Sequence, residues 1–484
     1  MPIRIPKVKL IYIYQALFLV LIGMIFFWRY KVGMNRFFDA DEFTHLNWAA
    51  QVAHGRHLYT DFFTFFTPLF YWVFALLFRF YPRDPQVYIA GRMLAYGIFV
   101  LMSITVYWLY RILRPGNKQY ALLPVVLFAW LPMPLDKTIE IRPDNLALLF
   151  GMVGILAQIY GFMGKSWKGV HPSLLAGVLY GLMMLTLVKM APIVLVGVVM
   201  TFVMGNGWSS LVLLVRKQKI VYLWQSELGI FTGGAIVLIL LFLWMLSLGN
   251  FPLVWYSLTT LAFEANKFSI TMIMEPHLFF FPNGSFYGGV NTPTMSLYLN
   301  HAIWTIGLLA GTIYLFTPFR TQRGIRPMVR AELLVSVTFI LFVILYVTYY
   351  PLKHSQYLIP IAAFFVLFAA DVLVWVLRST QKYIGQLAGV AVLMAFGFLL
   401  YTSTVQANTF KIYWNNAYQF DRMNTLLKRV PADAKVFDLE GMMLWWESGY
   451  YICCLPFGLY IDNLSLDIPD LHTVLERDKV DYVY

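Results

Sequence analysis

The sequence predicts an all-α polytopic membrane protein with a small α/β unit at its C-terminus. Hydrophobic residues make up 60% of the 484 positions and charged residues only 12%, about half of their usual share in soluble domains. The apolar residues form long runs separated by short charged segments, as membrane-spanning helices require. The residues after Val405 lose this pattern and have the mixed polarity of a soluble unit.

Composition also excludes two other interpretations. The net charge of +12 does not indicate nucleic-acid binding, because Lys and Arg accumulate in the cytoplasmic loops of membrane proteins. The two cysteines, Cys453 and Cys454, are adjacent, which excludes a disulfide framework. Neighbouring cysteines rarely bridge each other because the bond is strained, so we expect no disulfide.

Eleven apolar runs are predicted to span the membrane. The first, residues 10–28, follows a basic N-terminus and has no small-x-small cleavage site after it, which predicts a retained anchor that starts in the cytoplasm. Residues 67–81 are short for a span, so we expect them to dip into the membrane without crossing it. The other ten runs are 87–113, 120–135, 145–163, 173–188, 191–205, 222–248, 297–316, 331–350, 357–377 and 384–405.

The basic residues indicate how these spans are oriented in the membrane. Five clusters of Lys and Arg, around positions 111–118, 165–168, 216–219, 320–330 and 378–382, all lie inside only if residues 67–81 do not cross. The outer side then collects the loop from Asp39 to Phe66, the loops 136–144, 250–296 and 349–356, Lys189, and the tail. This predicts an integral protein of the bacterial inner or plasma membrane with its functional groups on the extracytoplasmic face.

The first outer loop carries three acidic residues within four positions: Asp39, Asp41 and Glu42. Acidic residues beside a span are costly and usually functional. Asp39 and Glu42 match a capping box, which predicts a helix from Ala40 to His54 that stops at Gly55. Capping alone would explain Asp39 and Glu42, but it does not explain Asp41, which points away from the cap.

Helical periodicity places Asp41, His45 and Trp48 on one face of this helix and apolar residues on the opposite face. This pattern predicts a helix that lies flat on the bilayer surface. Its polar face would then offer a carboxylate and an imidazole together.

The tail predicts a small extracytoplasmic α/β unit. An amphipathic helix at 416–429 ends before Pro431, strands are expected at 435–439 and 480–484, and a short helix at 470–477. We therefore predict two domains, a transmembrane catalytic domain at 1–405 and the small unit at 406–484.

Several segments together resemble a known family. They are the acidic pair within DADEFTHLNWAAQVAHGRHLYTDF, the Pro-led aromatic run TPLFYW, IEIRPDNLALLF at 139–150, LTLVKMAPIVL at 185–195 and YPLKHSQYLIP at 350–360. In these segments the chain resembles the membrane C-type glycosyltransferases, and within them the branch of protein O-mannosyltransferases and aminoarabinose transferases. Thr44 and Thr67 stand where the aminoarabinose branch has basic residues, which leaves the donor sugar unspecified.

The resemblance implies an inverting transferase that uses a sugar linked to polyprenyl or dolichyl phosphate. It also implies that Asp41 is the catalytic carboxylate and Glu42 its acidic neighbour. The expected partners are the lipid-linked donor, a glycan, lipid or protein acceptor, and membrane lipids. The alternatives are a ligase or polymerase of lipid-linked glycans, which does not share the acidic pair, and a flippase or transporter.

The residue types fit this chemistry independently. Inverting transfer needs one base for the acceptor proton, and partial desolvation would raise the pKa of a carboxylate in that role. The leaving phosphate is already anionic, so cations must stabilise it. The candidates on the predicted outer side are His45, Arg56, Arg142 with its neighbour Asp144, Lys189, Lys353 and His354.

Each candidate also has a structural explanation. Arg142 and Asp144 could pair with each other across a turn, Lys189 could be a lysine that extends from a helix end to the surface, and Arg56 could be a solvated loop residue. The acidic residues and His45 would also suit a divalent metal, although the reaction requires no cofactor.

Overall fold

The computed structural model describes residues 7–131, 136–217, 220–261, 264, 295–316, 327–350, 355–454 and 464–484. Within these residues the chain is helical up to the tail. The helices of the first half are α1 (Lys7–Asn35), α2 (Ala40–Ala53), α3 (Leu69–Ala75), α4 (Gln86–Leu113), α5 (Leu122–Trp130), α6 (Pro143–Phe162), α7 (Pro172–Thr186), α8 (Ala191–Val203) and α9 (Gly207–Lys217).

The second half continues with helices of similar length and then changes character. Its helices are α10 (Val221–Trp224), α11 (Gly229–Ser247), α12 (Phe251–Thr259), α13 (Met295–Phe316), α14 (Pro327–Thr348), α15 (Ile359–Tyr383), α16 (Gln386–Thr409), α17 (Ala417–Arg429) and α18 (Leu471–Arg477), and its strands are β1 (Lys435–Phe437), β2 (Glu447–Ser448) and β3 (Tyr482–Val483).

Eight of the described helices are long and apolar enough to cross a membrane: α1, α4, α6, α11, α13, α14, α15 and α16. A ninth span results if α8 and α9, which meet at an angle of 69°, are counted as one. The prediction of a polytopic all-α protein is confirmed. Among the described residues, the eight or nine helices that meet the length and composition of a span compare with eleven predicted spans. Three predicted runs instead form the shorter helices α5, α7 and α8. For α7 the cause is local, because Leu187 is extended (φ −163°) and Pro192 starts a new helix.

The aromatic run after the first loop does not cross the membrane. It forms α3 and one 3₁₀ turn, Leu76–Arg79, and these are too short for a span. Phe70, Tyr71 and Phe74 are fully buried, because α3 packs against α2 and α7. The run therefore covers one side of α2.

The tail forms the predicted α/β unit. Its sheet is parallel with the order β2-β1-β3, and Val436 of β1 pairs with Ser448 and with Tyr482. The helices α17 and α18 and the strands β1 and β3 lie inside the predicted ranges, while β2 was not predicted. The domain boundary at residue 405 stays a prediction. Helix α16 continues past that residue to Thr409.

The tail lies against the loop at residues 39–66, the predicted first outer loop. The Phe63 amide donates to the Tyr451 carbonyl at 2.8 Å, and the Tyr451 hydroxyl donates to the Tyr59 carbonyl at 2.6 Å. Gly441 has φ +82°, and a Cβ there would lie 2.8 Å from Cys454 Sγ and 3.2 Å from the backbone nitrogen of Thr44. This close approach fits only glycine, and it brings the tail onto α2.

The expectation about the two cysteines was wrong. Cys453 and Cys454 form a disulfide between adjacent residues. The backbone of Cys454 has φ +78°, a left-handed conformation that is rare for residues other than glycine. The turn at this position brings the two side chains together.

Candidate active site

The helix α2 begins as its sequence predicts. The Asp39 side chain accepts a hydrogen bond from the Asp41 amide at 3.0 Å, and the Glu42 side chain accepts one from the Asp39 amide at 3.0 Å, which completes a capping box. The helix ends at Ala53, with His54 as its cap and Gly55 at φ +85°. Local sequence therefore places Asp41 in the first turn.

The prediction that α2 has an exposed polar face was wrong. Every residue from Glu42 to Gln51 is buried, including His45 and Trp48. The reason is tertiary: α3 covers the face that was predicted to be polar. His45 Nδ1 lies 3.1 Å from the Tyr71 hydroxyl, and the imidazole also packs against the rings of Phe66 and Phe70. A helix surrounded in this way is part of the protein interior.

The carboxylate of Asp41 lies 2.6 Å from the guanidinium of Arg142. Arg142 comes from the predicted outer loop 136–144, where its extended backbone caps α6 ahead of Pro143. The same guanidinium lies 2.6 Å from Glu140 and 3.2 Å from Asp39. Arg142 is therefore shared by three carboxylates, and the two loops are joined by it.

A second set of cations surrounds this group. Lys137 lies 3.0 Å from both Asp39 and Glu140, and Arg36, at the end of α1, contacts Glu140. Lys137 and Glu140 belong to a loop that the sequence singled out, but neither residue was predicted individually. The six side chains comprise three carboxylates and three cations, so the group carries no net formal charge.

The two carboxylates that face the surface differ in their contacts. Asp39 Oδ1 accepts from the Asp41 amide and from Arg142, and Asp39 Oδ2 contacts Lys137. Asp41 uses Oδ2 for Arg142, and its Oδ1 has no hydrogen-bond partner among the described residues. The Asp41 side chain keeps 27% of its surface accessible. Of the two, Asp41 has an oxygen available for a ligand.

Lys189 reaches the same region from a third segment. It lies in the 3₁₀ turn Val188–Met190, forms an ion pair with Asp144 and packs over the ring of Tyr357 at 4.2 Å. Asp144 therefore pairs with Lys189, whereas Arg142 pairs with the carboxylates of α2 and its own loop. Asp41, Arg142 and Lys189, which are distant in sequence, are brought together.

Glu42 is bound entirely within the protein. It is fully buried, and its two oxygens lie 2.8 Å and 2.5 Å from Nε and Nη2 of Arg92. It also accepts from the Ile141 amide at 3.1 Å. Arg92 was not predicted, although an arginine inside the apolar run 87–113 was a usable signal. These contacts give Glu42 a positioning role for both loops.

The electrostatic environment differs from expectation. Burial is the largest effect on the Asp41 carboxyl and raises its pKa, but the neighbouring positive charges, Arg142 foremost and then Lys137, together with the hydrogen bond from Arg142, outweigh burial, so the pKa lies below its ordinary value. The expected rise was therefore wrong. Burial lowers the pKa of His45 to about 4, although Asp41 opposes this. His45 is then neutral near pH 7 and supplies a hydrogen bond there, but no positive charge.

The remaining candidates lie elsewhere. Arg56 follows the far end of α2, where it donates to Gln51 at 2.9 Å and to the Asp61 carbonyl at 2.6 Å. Lys353 and His354 lie outside the described residues. Within the described part of the chain, no three His, Cys, Asp or Glu side chains converge as metal ligands. Of the expected metal set, the three acidic residues are paired with Arg142, Lys137 and Arg92, and His45 lies against Tyr71. Metal dependence remains untested.

Two solved membrane transferases share the fold of this chain. ArnT from Cupriavidus metallidurans bound to undecaprenyl phosphate is similar with a TM-score of 0.57 and 13% identity, over 97% of this chain and 91% of that one. The archaeal oligosaccharyltransferase AglB from Archaeoglobus fulgidus, in complex with an inhibitory peptide and a dolichol-phosphate, gives a TM-score of 0.54 and 12% identity, over 98% and 69%. No protein-family model matches the sequence, and no curated protein matches it either.

Proposed function

We propose that this protein is an inverting glycosyltransferase that takes a sugar from a polyprenyl- or dolichyl-phosphate donor and transfers it to an acceptor on the extracytoplasmic face. The observation that carries the proposal is the Asp41 carboxylate, which has one oxygen on Arg142 and the other without a partner among the described residues. The fold supports it, since the similar ArnT structure holds undecaprenyl phosphate and the AglB structure holds a dolichol-phosphate.

Asp41 is the proposed base. The lowered pKa keeps the carboxylate ionised at neutral pH, which is the form that accepts a proton. The acceptor oxygen bonds to the anomeric carbon while the bond from that carbon to the phosphate oxygen breaks. The acceptor proton passes to Asp41, and the bonding electrons leave with the lipid phosphate.

Arg142 and Lys189 are the proposed cations for that phosphate. Both side chains are mostly buried, with exposed fractions of 5% and 24%, so their charges are poorly screened by solvent. A phosphate that binds here competes with Asp41 for Arg142. It thereby weakens the contact that lowers the pKa of Asp41, and the carboxylate becomes a stronger base when the donor is present.

The distribution of basic residues supports the extracytoplasmic face. Helices α4, α6 and α15 begin on the side of Asp41. The described basic clusters lie at the other end of these helices, after α4, after α6 and near the end of α15. For example, Arg114 after α4 contacts Glu332 at the start of α14 and Asp371 in α15, and Arg378 donates to the Gly116 carbonyl. By the positive-inside rule this end faces the cytoplasm, so the opposite end with Asp41 faces outward.

The test is transfer from a labelled polyprenyl-phosphate sugar by the purified full-length protein. We expect Asp41→Asn to abolish transfer while leaving the protein folded, and Asp433→Asn, an exposed residue of the tail, to leave transfer unchanged. Retained turnover in Asp41→Asn would reject the assignment. A ligase or polymerase would instead consume whole lipid-linked glycans, and a flippase would move the label across the bilayer without forming a product.

A further inference from the structure

A cavity lies between the first outer loop and the tail, away from Asp41. Its volume is about 220 Å³, and its lining includes Arg56 and Asp61 from the loop and Lys435, Glu447, Tyr451 and Arg477 from the tail. The cavity lies beyond the C-terminal end of α2, whereas Asp41 lies in the first turn. The proposed transfer reaction does not use these residues.

The lining suits a neutral ligand with many hydroxyl groups. Six charged side chains line the cavity. The cations are Arg56, Lys435 and Arg477, and the carboxylates are Asp61, Glu447 and Asp478. This mixture provides donors and acceptors in similar number with no net formal charge. An anionic ligand would meet three carboxylates, and the charged wall disfavours an apolar one. The ring of Tyr451 adds an apolar surface.

The lining combines two hydrogen-bonded tyrosines with an exposed ion pair. The Tyr451 hydroxyl donates to the Tyr59 carbonyl at 2.6 Å, and the Tyr450 hydroxyl donates to the Pro469 carbonyl at 2.8 Å. Lys435 and Glu447 are 3.7 Å apart with exposed fractions of 40% and 59%. Such an exposed pair is weak, so both groups are available to a ligand.

The cavity is small. Its volume of about 220 Å³ leaves room for one compact ligand. Drug-sized ligands occupy pockets of about 300 Å³ or more. A longer saccharide would therefore leave its other units outside the cavity.

We propose that this cavity binds one neutral sugar unit of an extended saccharide acceptor. The assignment to the acceptor rests on the proposed function. The 14 residues of α2 span about 20 Å at 1.5 Å per residue, so a sugar held beyond its far end is not the unit that reacts at Asp41. The acceptor would therefore be long enough to place a distal unit in the cavity while its reacting end lies near Asp41.

Binding is tested by saturation-transfer NMR on the full-length protein in lipid nanodiscs, since maltoside detergents carry competing sugars. The probes are the methyl glycosides of glucose, galactose, mannose and N-acetylglucosamine. We expect at least one probe to bind, and Glu447→Ala/Arg477→Ala to weaken its binding about tenfold or more, because hydrogen bonds to charged groups are lost. The matched control is His472→Ala/Glu476→Ala, a pair on α18 with exposed fractions of 80% and 71%, which should bind as the wild type does.

The outcomes separate this inference from the proposed function. Failure of every probe to bind, or equal binding by the cavity variant and the wild type, overturns the cavity assignment. Asp41→Asn should bind the probe normally, so turnover by that variant would reject the function and leave the cavity intact. In the transfer assay we expect the cavity variant to have a higher KM than the wild type for an oligosaccharide acceptor, and the same KM for a monosaccharide acceptor. If the variant and the wild type have the same KM for the oligosaccharide, the acceptor role is overturned.

Discussion

Arg142 holds Asp41 by a single contact of 2.6 Å between one guanidinium nitrogen and one carboxylate oxygen. The other nitrogens of Arg142 contact Glu140 and Asp39, so the guanidinium cannot turn to grip Asp41 with two bonds without losing a partner. This geometry fixes the direction of the Asp41 carboxylate and leaves its second oxygen accessible. Arg142 therefore orients the Asp41 carboxylate, the proposed base, and contributes the largest of the effects that lower its pKa.

Replacement of Arg142 by Gln should shift the pH dependence of transfer. The positive charge of Arg142 lowers the pKa of Asp41, so its loss raises that pKa. The base is then protonated at higher pH, and the acidic limb of the kcat/KM profile moves upward. We also expect transfer to fall by roughly 10²–10³-fold, as when a preorganised donor to a developing anion is removed.

The measurement for Arg142→Gln is a full pH–rate profile of the residual activity. Arg422→Gln serves as the control, because Arg422 lies in α17 with an exposed fraction of 41%, and its contacts, Glu440 at 3.8 Å and the ring of Tyr484 at 4.5 Å, belong to the tail. An acidic limb that stays in place would contradict the role of Arg142 in setting the pKa of Asp41.

Replacement of Lys189 by Met should weaken donor binding. Lys189 lies in the turn before α8 and pairs with Asp144, and loss of one hydrogen bond to a charged group costs about 1.5–3 kcal/mol, or roughly 10–150-fold in KM for the donor. Lys165→Met, at the opposite end of α6, should leave KM unchanged. The two variants are compared by initial rates at varied donor concentration, and equal KM values would remove Lys189 from the donor site.

Replacement of Glu42 by Gln should destabilise the fold. Glu42 is fully buried and pairs with the buried Arg92, and removal of one partner of such a pair costs about 3–5 kcal/mol because the other charge is left uncompensated. Thermal unfolding in detergent measures the loss, and Glu476→Gln on the surface of α18 is the control. A variant with unchanged stability but no transfer would instead indicate direct catalysis by Glu42.

The stability of the protein should fall between about pH 6.5 and pH 4 because of His45. Burial lowers the pKa of His45 from 6.5 to about 4, so in this range the unfolded chain binds a proton that the folded chain does not. The linked loss is roughly 3 kcal/mol when the pH has fallen to the folded pKa. Stability is complete above the unfolded value, and His45→Gln should remove this part of the pH dependence, as followed by thermal unfolding.

Local sequence was sufficient for the start of α2 but not for its surroundings. The capping box depends on Asp39 and Glu42, which are three residues apart, and the sequence therefore located it. The cover over His45 comes from Tyr71 and its neighbours in α3, and helical periodicity carries no information about which segment packs on a given face. The same limit explains the missed partner of Glu42, because Arg92 lies 50 positions away.

The candidate residues were predicted by residue type and side of the membrane, and their pairing was not. The loop at 136–144 was expected near the first loop because both lie on one predicted side. The pairing depends on the direction in which α6 begins, and local sequence does not give that direction. In the structure Arg142 contacts Asp41, and Asp144 contacts Lys189. The tail was predicted well because its helices and strands follow local patterns, except for the two residues of β2, which are too few to form a pattern.

Arg92 joins the start of α2 to the end of α1. Its guanidinium donates to the carbonyls of Gly33 and Phe37, each at 2.8 Å, at the end of α1, while it holds Glu42 of α2. The end of α1 is thus linked to the start of α2 through Arg92, in addition to the ion pair of Arg36 with Glu140, and a change in the tilt of α1 would be transmitted to the turn that carries Asp41. Hydrophobic mismatch changes the tilt of membrane helices, so the thickness of the bilayer becomes a variable that acts on the geometry of the candidate site through these buried ion pairs.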